Sequence, residues 1–282
     1  MPSKSLIKSA RIAHQMRHAD RWAIGAIEPE VDLAKVMERV AGVIRGIEPN
    51  DSPERFRGLG VEVILGNGRF TGPQTFEVDG RRLTARHFVV ATGSRPAVPP
   101  VPGLVNVPFL TNETLFALRE NVPHLLLLGA GPIGSEMAQA FRRLGSEVTV
   151  VEQGNGILPR EDRDLAEVVH RTLEREGVRY HLGAKIESAE GRRGDLRLTI
   201  RGPDGNVRTL AGTHLLVAAG RLANVEGLGL DAAGVRVEHG RIVNTDLATT
   251  NPRVSVIGDA AGGYQFTHVA EHHAGVVLRR LA

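Results

Sequence analysis

Leu125-Leu126-Leu127-Leu128-Gly129-Ala130-Gly131-Pro132-Ile133-Gly134, followed by Val148-Thr149-Val150-Val151-Glu152, is the stretch that decides the fold. An apolar run enters a G-x-G-x-x-G turn, a helix follows, and a second apolar run delivers an acid 23 residues after Gly129. Each residue type has a task in holding a dinucleotide. Gly129 makes the tight turn, Gly131 lets the pyrophosphate approach the backbone, and Gly134 lets the helix pack close to the sheet. Pro132 is pre-set for the first helical turn, whose unpaired N–H groups face the phosphates. Glu152 can accept from a ribose hydroxyl. With Gly134, and with Arg160 placed farther along rather than beside the acid, it favours NAD(H) over NADP(H). A simple dehydrogenase opens with such a unit, but here more than a hundred residues come first.

At 282 residues the chain has the length of about two domains. Its hydrophobic content of 41% and charged content of 24% are those of an ordinary soluble globular protein. Net charge is only +3 and aromatics are 4%. The nearest basic cluster, Arg192-Arg193, lies beside turn residues, so no contiguous face for nucleic acid is expected. No apolar run reaches membrane-spanning length and no secretory segment opens the chain, so a cytoplasmic location is the expectation. Cysteine is absent, which removes disulfides, thiolate metal sites and thiol catalysis from this chain itself. His268, His272 and His273 lack a third ligand at sensible spacing, so no metal site is expected, and His272 and His273 are read as solvent-facing.

The spacing of apolar residues predicts helices over Pro2–Asp20 and about Val31–Ile47, and a helix start at Ser52-Pro53-Glu54 with Ser52 as cap. Short strands are expected at Val61–Leu65, Thr75–Val78, Arg82–Thr84 and His87–Ala91, with Asp79-Gly80 marking a hairpin. The proline-rich stretch Pro96–Pro102 reads as a crossing between domains. Beyond the fingerprint unit come a helix over about Asp162–Glu176 and strands at Val178–His181, Ala184–Ala189, Leu196–Ile200, Val207–Leu210 and His214–Ala218. Those around Asp204-Gly205 read as an antiparallel meander. A buried strand Val254–Ile257, then Gly258-Asp259 and a final helix from about Thr267 close the chain.

Ala91-Thr92-Gly93-Ser94-Arg95-Pro96 could end any strand, and a Gly-Asp pair after a strand can present a carboxylate to a sugar or simply cap the next helix. The combination is more specific. ATGSRP, the fingerprint with its acid, Ala219-Gly220-Arg221 with Asn224, and Ile257-Gly258-Asp259-Ala260-Ala261-Gly262-Gly263 follow one another in an order that resembles the flavoprotein disulfide reductase family. These are the pyridine nucleotide–disulfide oxidoreductases, which include dihydrolipoyl dehydrogenase and mercuric reductase. The likeness covers nearly the whole chain. Met1-Pro2-Ser3-Lys4 looks like the residues just after that family's redox-active cysteine pair. Gly66–Gly72 is similar to its adenine-flanking turn, and Tyr264–Ala270 is most like the mercuric reductase-like branch.

The resemblance implies an α/β fold of two Rossmann-like, three-layered FAD/NAD(P)-binding domains, the NAD unit being inserted into a discontinuous, incomplete FAD domain. The FAD domain is expected over 1–115 and 243–282, and the NAD(P) domain over 116–242. Lys4 would sit near the flavin ring, with Glu136 as its ion-pair partner. Gly68 would touch the adenine end of FAD, Thr92, Gly93 and Ser94 would line the same cofactor, and Asp259 would accept from the ribitol chain. Gln265, Phe266, Thr267 and His268 would present a helix N-terminus to the flavin. Gly129, Ala130, Gly131, Pro132, Ile133, Gly134, Ser135, Glu136, Glu152 and Gly220 would hold NAD.

The chain departs from the family in three parts. The first G-x-G-x-x-G and the cysteine pair are expected upstream of Met1, and the dimerisation domain, with its His-Glu pair, after Ala282. The chain therefore reads as a fragment of an FAD-dependent NAD(P)H oxidoreductase of a homodimeric family. It lacks the dithiol needed for disulfide or mercuric-ion reduction and is expected to hold FAD weakly or not at all. Two alternatives stay open: a non-catalytic NAD-binding module and a flavin-free NAD dehydrogenase. The small-molecule electron acceptor is not named by the sequence.

Overall fold

The computed structural model describes residues 2–282; Met1 lies outside the described residues. Its helices are α1 (Pro2–Arg17), α2 (Leu33–Ile47), α3 (Pro53–Gly58), α4 (Pro132–Arg143), α5 (Arg163–Arg175) and α6 (Thr267–Leu281). α1 stops short of the predicted Asp20 and passes into a tighter turn, Ala19–Trp22, closed by Ala23 at a left-handed φ of 59°. Asp32 caps α2, its carboxylate accepting from the Lys35 amide at 3.1 Å. Packing divides the chain into two units. One takes the chain up to Ser52 together with Pro96–Gly220, and the other takes Pro53–Arg95 with Arg221–Ala282.

In the first unit four parallel strands lie in the order His214–Val217, His124–Leu128, Glu147–Val151, Val178–His181. Leu125–Leu128 are at most 1% exposed, as a central strand covered on both faces requires. Strand alternation sends the four leucines to two different cores. Leu125 and Leu127 join Leu6, Met37, Met137, Phe141 and Leu173 of α1, α2, α4 and α5. Leu126 and Leu128 join Leu196, Leu198 and Ile200. Those three belong to the predicted meander, which runs as Lys185–Arg192, Asp195–Arg201 and Val207–Gly212 with Asp195–Arg201 in the middle. The unit is thus a helix layer, a parallel sheet and an antiparallel layer.

Helices far apart in sequence share one core in the first unit. α1 and α2 bury Leu6, Ala10, Leu33, Met37 and Val40 in the core that holds α4, so they group with the fingerprint sheet. The chain leaves that unit at Gly220. Polar contacts reinforce the helix layer. Arg143 donates to both carboxylate oxygens of Glu176, at 2.6 and 2.7 Å, and Arg17 donates to the Arg143 carbonyl at the end of α4.

The second unit has two sheets. Gly68–Gly72, Thr75–Val78 and Arg81–Thr84 form an antiparallel ribbon. Its second turn is Asp79-Gly80, with both φ angles positive (46° and 86°), the conformation that a two-residue hairpin demands. The other sheet runs Asn244–Thr245, Ala248–Thr249, Val254–Val256, Phe88–Val90, its last two strands parallel. Phe70, Val90, Val225, Leu230, Val235, Val254 and Val256 fill the core. The segment expected as a strand at Val61–Leu65 is irregular instead. No strand among the described residues pairs with it, and Val61 and Leu65 remain exposed. Conversely Gly68–Gly72, read from sequence as turn, is a strand, because Phe70 meets Phe76 and Phe88 edge-on at 4.9 and 5.2 Å.

Candidate functional site

Two clusters of candidate residues form, one in each unit. In the first, Leu128 hands the chain to Gly129, whose φ of 98° turns it toward α4. A β-carbon on Gly129 would lie 2.5 Å from the Ala218 carbonyl oxygen, and one on Gly134 would collide with the Gly129 carbonyl. At Gly131 a β-carbon would meet nothing within 4 Å. Gly131 is also the N-cap of α4 and supplies no side chain to its amides, with Pro132 next in line. The turn is therefore packed shut on either side of one open position, beneath a helix N-terminus whose N-cap residue makes no side-chain bond.

Glu152 stands beside this turn. Its carboxylate accepts from the Ala130 amide and from the Gly154 amide, each at 2.7 Å. Those bonds fix its position while leaving lone pairs for a further donor. Ser135 is buried and donates to the Ala130 carbonyl at 3.2 Å, so its task is to brace the turn. Gly220, with φ 124°, accepts from Ala97 through its carbonyl. Ile133 is half-buried against the helix-side core. Glu136 projects from α4, and desolvation by its neighbours holds its carboxyl above the usual range, while the Lys4 charge pulls the other way. Lys4 on α1 is exposed. The two act on each other as charges at a distance rather than as the ion pair anticipated from the sequence.

In the second unit three motifs prove to be one network. Ser94 donates its hydroxyl to Asp259 at 2.5 Å. Arg221 donates to the Ser94 hydroxyl oxygen at 2.7 Å and to its carbonyl at 2.8 Å, and stands 3.6 Å from the Asp259 carboxylate. Thr92 and Asn224 exchange hydrogen bonds: the Thr92 hydroxyl donates to the Asn224 carbonyl, and the Asn224 side chain donates back to the Thr92 carbonyl. The Asn224 amide donates to Gly93 as well, and Arg95 binds both oxygens of Glu226, whose carboxyl it holds down at about 2. Arg221 and Asn224 carry no role in the sequence pattern alone; the G-R-x-x-N spacing is the signal that brings them to this network. Arg221→Met removes two hydrogen bonds to Ser94 and the cation beside Asp259. It is expected to lower stability by about 2 kcal/mol, measured by urea unfolding.

Gly68 sits in its strand directly against the Phe76 ring, which leaves no room for a side chain there. Gln265 is half-buried, and Phe266 is the N-cap of α6 without a side-chain bond. Thr267 and His268 open that helix and are exposed. The Tyr264, Phe266 and His268 rings stack in succession, 6.1 and 5.4 Å apart. His273 corrects the expectation of a solvent-facing ring, because its Nδ1 accepts from the Gly258 amide at 3.2 Å. That amide would otherwise be left over at the left-handed Gly258 (φ 62°) just before Asp259. No cluster of three or more His, Cys, Asp or Glu among the described residues could hold a metal, and no helix among them is long and apolar enough to cross a membrane.

Comparison with known proteins gives a consistent result. The family described as pyridine nucleotide-disulphide oxidoreductase matches residues 1–274. A mercuric reductase of Bacillus cereus is 32% identical over 281 residues, which is 99% of this chain and 44% of the relative. A dihydrolipoyl dehydrogenase of Thermus scotoductus is 35% identical over 285 residues, covering 96% of this chain and 59% of its own length. Among solved structures, the HOCl-induced flavoprotein disulfide reductase RclA of Escherichia coli, in its Cu(II) complex, superposes with a TM-score of 0.83 at 27% identity. That match covers all of this chain and 60% of the other. The chain thus spans about half the length of the relatives it matches.

Proposed function

The chain belongs to the pyridine nucleotide-disulphide oxidoreductase family, whose members bind FAD and NAD(P)H, and from that premise we propose that it carries an FAD-dependent NAD(H) oxidoreductase activity of the mercuric reductase- and dihydrolipoyl dehydrogenase-like kind. The chemistry such a cofactor pair supplies when bound is hydride transfer between nicotinamide and flavin. In the first unit, the fingerprint strand His124–Leu128 with α4 and the strand Glu147–Val151 make the nicotinamide-binding part. The amides at the start of α4 and the open position at Gly131 take the pyrophosphate, and Glu152 takes the adenosine ribose. The opening at Gly131, between two glycines that packing closes, carries this assignment. The second unit is the part of a discontinuous flavin-binding domain in which Asp259, oriented by Ser94 and Arg221, offers its carboxylate to the ribitol hydroxyls, and the uncapped start of α6 faces the flavin ring.

Within the first unit, Glu136 on α4 has its carboxyl held above the usual range by desolvation, with the Lys4 charge opposing the shift, and we assign both to the nicotinamide side of the reaction. A dithiol relay needs cysteines, and this sequence has none, so thiol chemistry is not assigned to this chain. The same observation favours a second reading, a nucleotide-binding module that holds NAD(H) without turnover.

Calorimetric titration with NADH and NADPH, together with the flavin absorbance of the purified chain, tests both. NADH is expected to bind at least about tenfold more tightly than NADPH, because Glu152 would repel a 2′-phosphate, and Glu152→Gln is expected to narrow the gap. Equal or tighter NADPH binding contradicts the preference, and binding of neither contradicts the site. Flavin at one per chain supports the oxidoreductase reading; NADH binding without flavin supports the module.

A further inference from the structure

Phe88–Val90 and Val254–Val256 run parallel, so both carry their motif residues, Thr92–Ser94 and Gly258-Asp259, past the same C-terminal ends. A different constellation lies on the neighbouring face, toward the opposite ends. Ser255, 1% exposed, sits in the middle of its strand with His87 Nε2 at 2.9 Å from its hydroxyl oxygen. Arg280 of α6 donates into the same oxygen at 2.6 Å and donates with its other terminal nitrogen to the Asp246 carbonyl at 3.0 Å. Arg253 lies nearby, donating to the Arg86 carbonyl at 3.5 Å. Among the described residues, the hydrogen bonds of both guanidinium groups go to carbonyls and a hydroxyl.

The electrostatics of this cluster are unbalanced. Burial holds the His87 imidazole below its usual pKa, and the two charges acting with burial are Arg280 and Arg253, with no carboxylate among them. Charge of one sign gathered around a half-buried ring, without a counter-charge, is self-repelling. Arg280 is nevertheless held at two points, which fixes its plane and leaves its remaining N–H groups directed elsewhere. Arg280 can only donate to the Ser255 oxygen, so while His87 is neutral the hydroxyl proton goes to Nε2.

We propose that His87, Ser255, Arg253 and Arg280 form a binding site for a small inorganic oxyanion of the sulfate or phosphate class, separate from the cofactor residues. An anion between the two guanidinium groups supplies the missing counter-charge. It also favours protonation of His87, which turns Nε2 into a donor to Ser255 and adds a third cation. Anion binding and proton uptake therefore reinforce each other, and affinity rises as pH falls.

Sulfate is the probe, since its charge stays constant between about pH 5.5 and 8. The His87 ring signal is followed by NMR while sulfate replaces chloride at matched ionic strength, which separates binding from screening. His87 is assigned through His87→Gln. The expected result is a saturable rise in the apparent pKa of His87 alone among the 11 histidines. Sulfate affinity is expected to be several-fold stronger at the acid end of the range, and both effects to be lost in Arg253→Gln and in Arg280→Gln. Glutamine retains a donor toward Ser255, and unchanged signals from the remaining histidines show that each variant is folded. No shift at His87, an equal shift of all histidines, or a shift that survives in the folded Arg253→Gln and Arg280→Gln variants overturns the proposal.

Discussion

Gly134→Val is expected to cost about 4 kcal/mol or more, enough to unfold the first unit, although it changes no polar group. The β-carbon of any side chain at 134 would run into the Gly129 carbonyl and come within 3.1 Å of Leu127, both fixed by the parallel sheet. Gly129→Ala meets a comparable barrier, since it combines a left-handed φ with a clash on the Ala218 carbonyl. Gly131→Ala is different in kind. Its φ of −69° suits any residue and its β-carbon would project into open space, so stability should change by about 1 kcal/mol or less. A methyl group there would instead occupy room that the pyrophosphate needs, and NADH affinity should fall by about tenfold or more. Urea unfolding and calorimetric titration of the three variants separate the two packing glycines from the ligand glycine. A Gly131→Ala protein that loses as much stability as Gly134→Val would show that the open position serves the fold instead.

That contrast also shows what could be read from the residues alone. The four leucines, the glycine spacing and the acid at the end of Val148–Val151 each obey a local rule, so the parallel sheet and the position of Glu152 followed from them. Likewise the Asp79-Gly80 hairpin needs only two residues able to take positive φ. What escaped depends on partners distant in sequence. Gly68–Gly72 looks like a turn until Phe76 and Phe88 are placed against Phe70. Val61–Leu65 has strand composition, but composition supplies no neighbour to pair with. The grouping of α1 and α2 with α4 rests on apolar faces whose partners lie about a hundred residues away. The role of His273 is hidden in the sequence, since nothing nearby in the chain announces that Gly258 needs an acceptor.

Stability is expected to fall as pH drops from about 7 toward 5, before any carboxylate pair is lost. Four histidines are held below their usual pKa, in each case first by burial: His14, with Arg143 beside it; His87, with Arg280 and Arg253; His124, with Arg179; and His181, with Arg208 and Arg179. Glu176 and Glu147 oppose the shift at His14 and His124 without reversing it. Geometry at His124 agrees, since Arg179 approaches its Nε2 at 3.4 Å and can only donate, which requires a neutral ring. A folded-state pKa below the unfolded one means that the unfolded chain binds more protons throughout the window. The stabilisation is complete above the unfolded histidine value of about 6.5 and is lost as pH falls through the folded values. Each additional proton taken up on unfolding steepens the loss by about 1.4 kcal/mol per pH unit. The carboxylates behave oppositely in position: Glu176, although burial works against it, is held low by Arg143, and Asp204 by Arg208, so their contributions persist until far more acid conditions. Urea midpoints measured at intervals from pH 8 to about 5 should therefore decline steadily below about 6.5. His124→Gln should flatten the decline even if it lowers the midpoint at pH 8. A midpoint that stays constant to about pH 5 would mean that these rings take up their protons without cost to the fold.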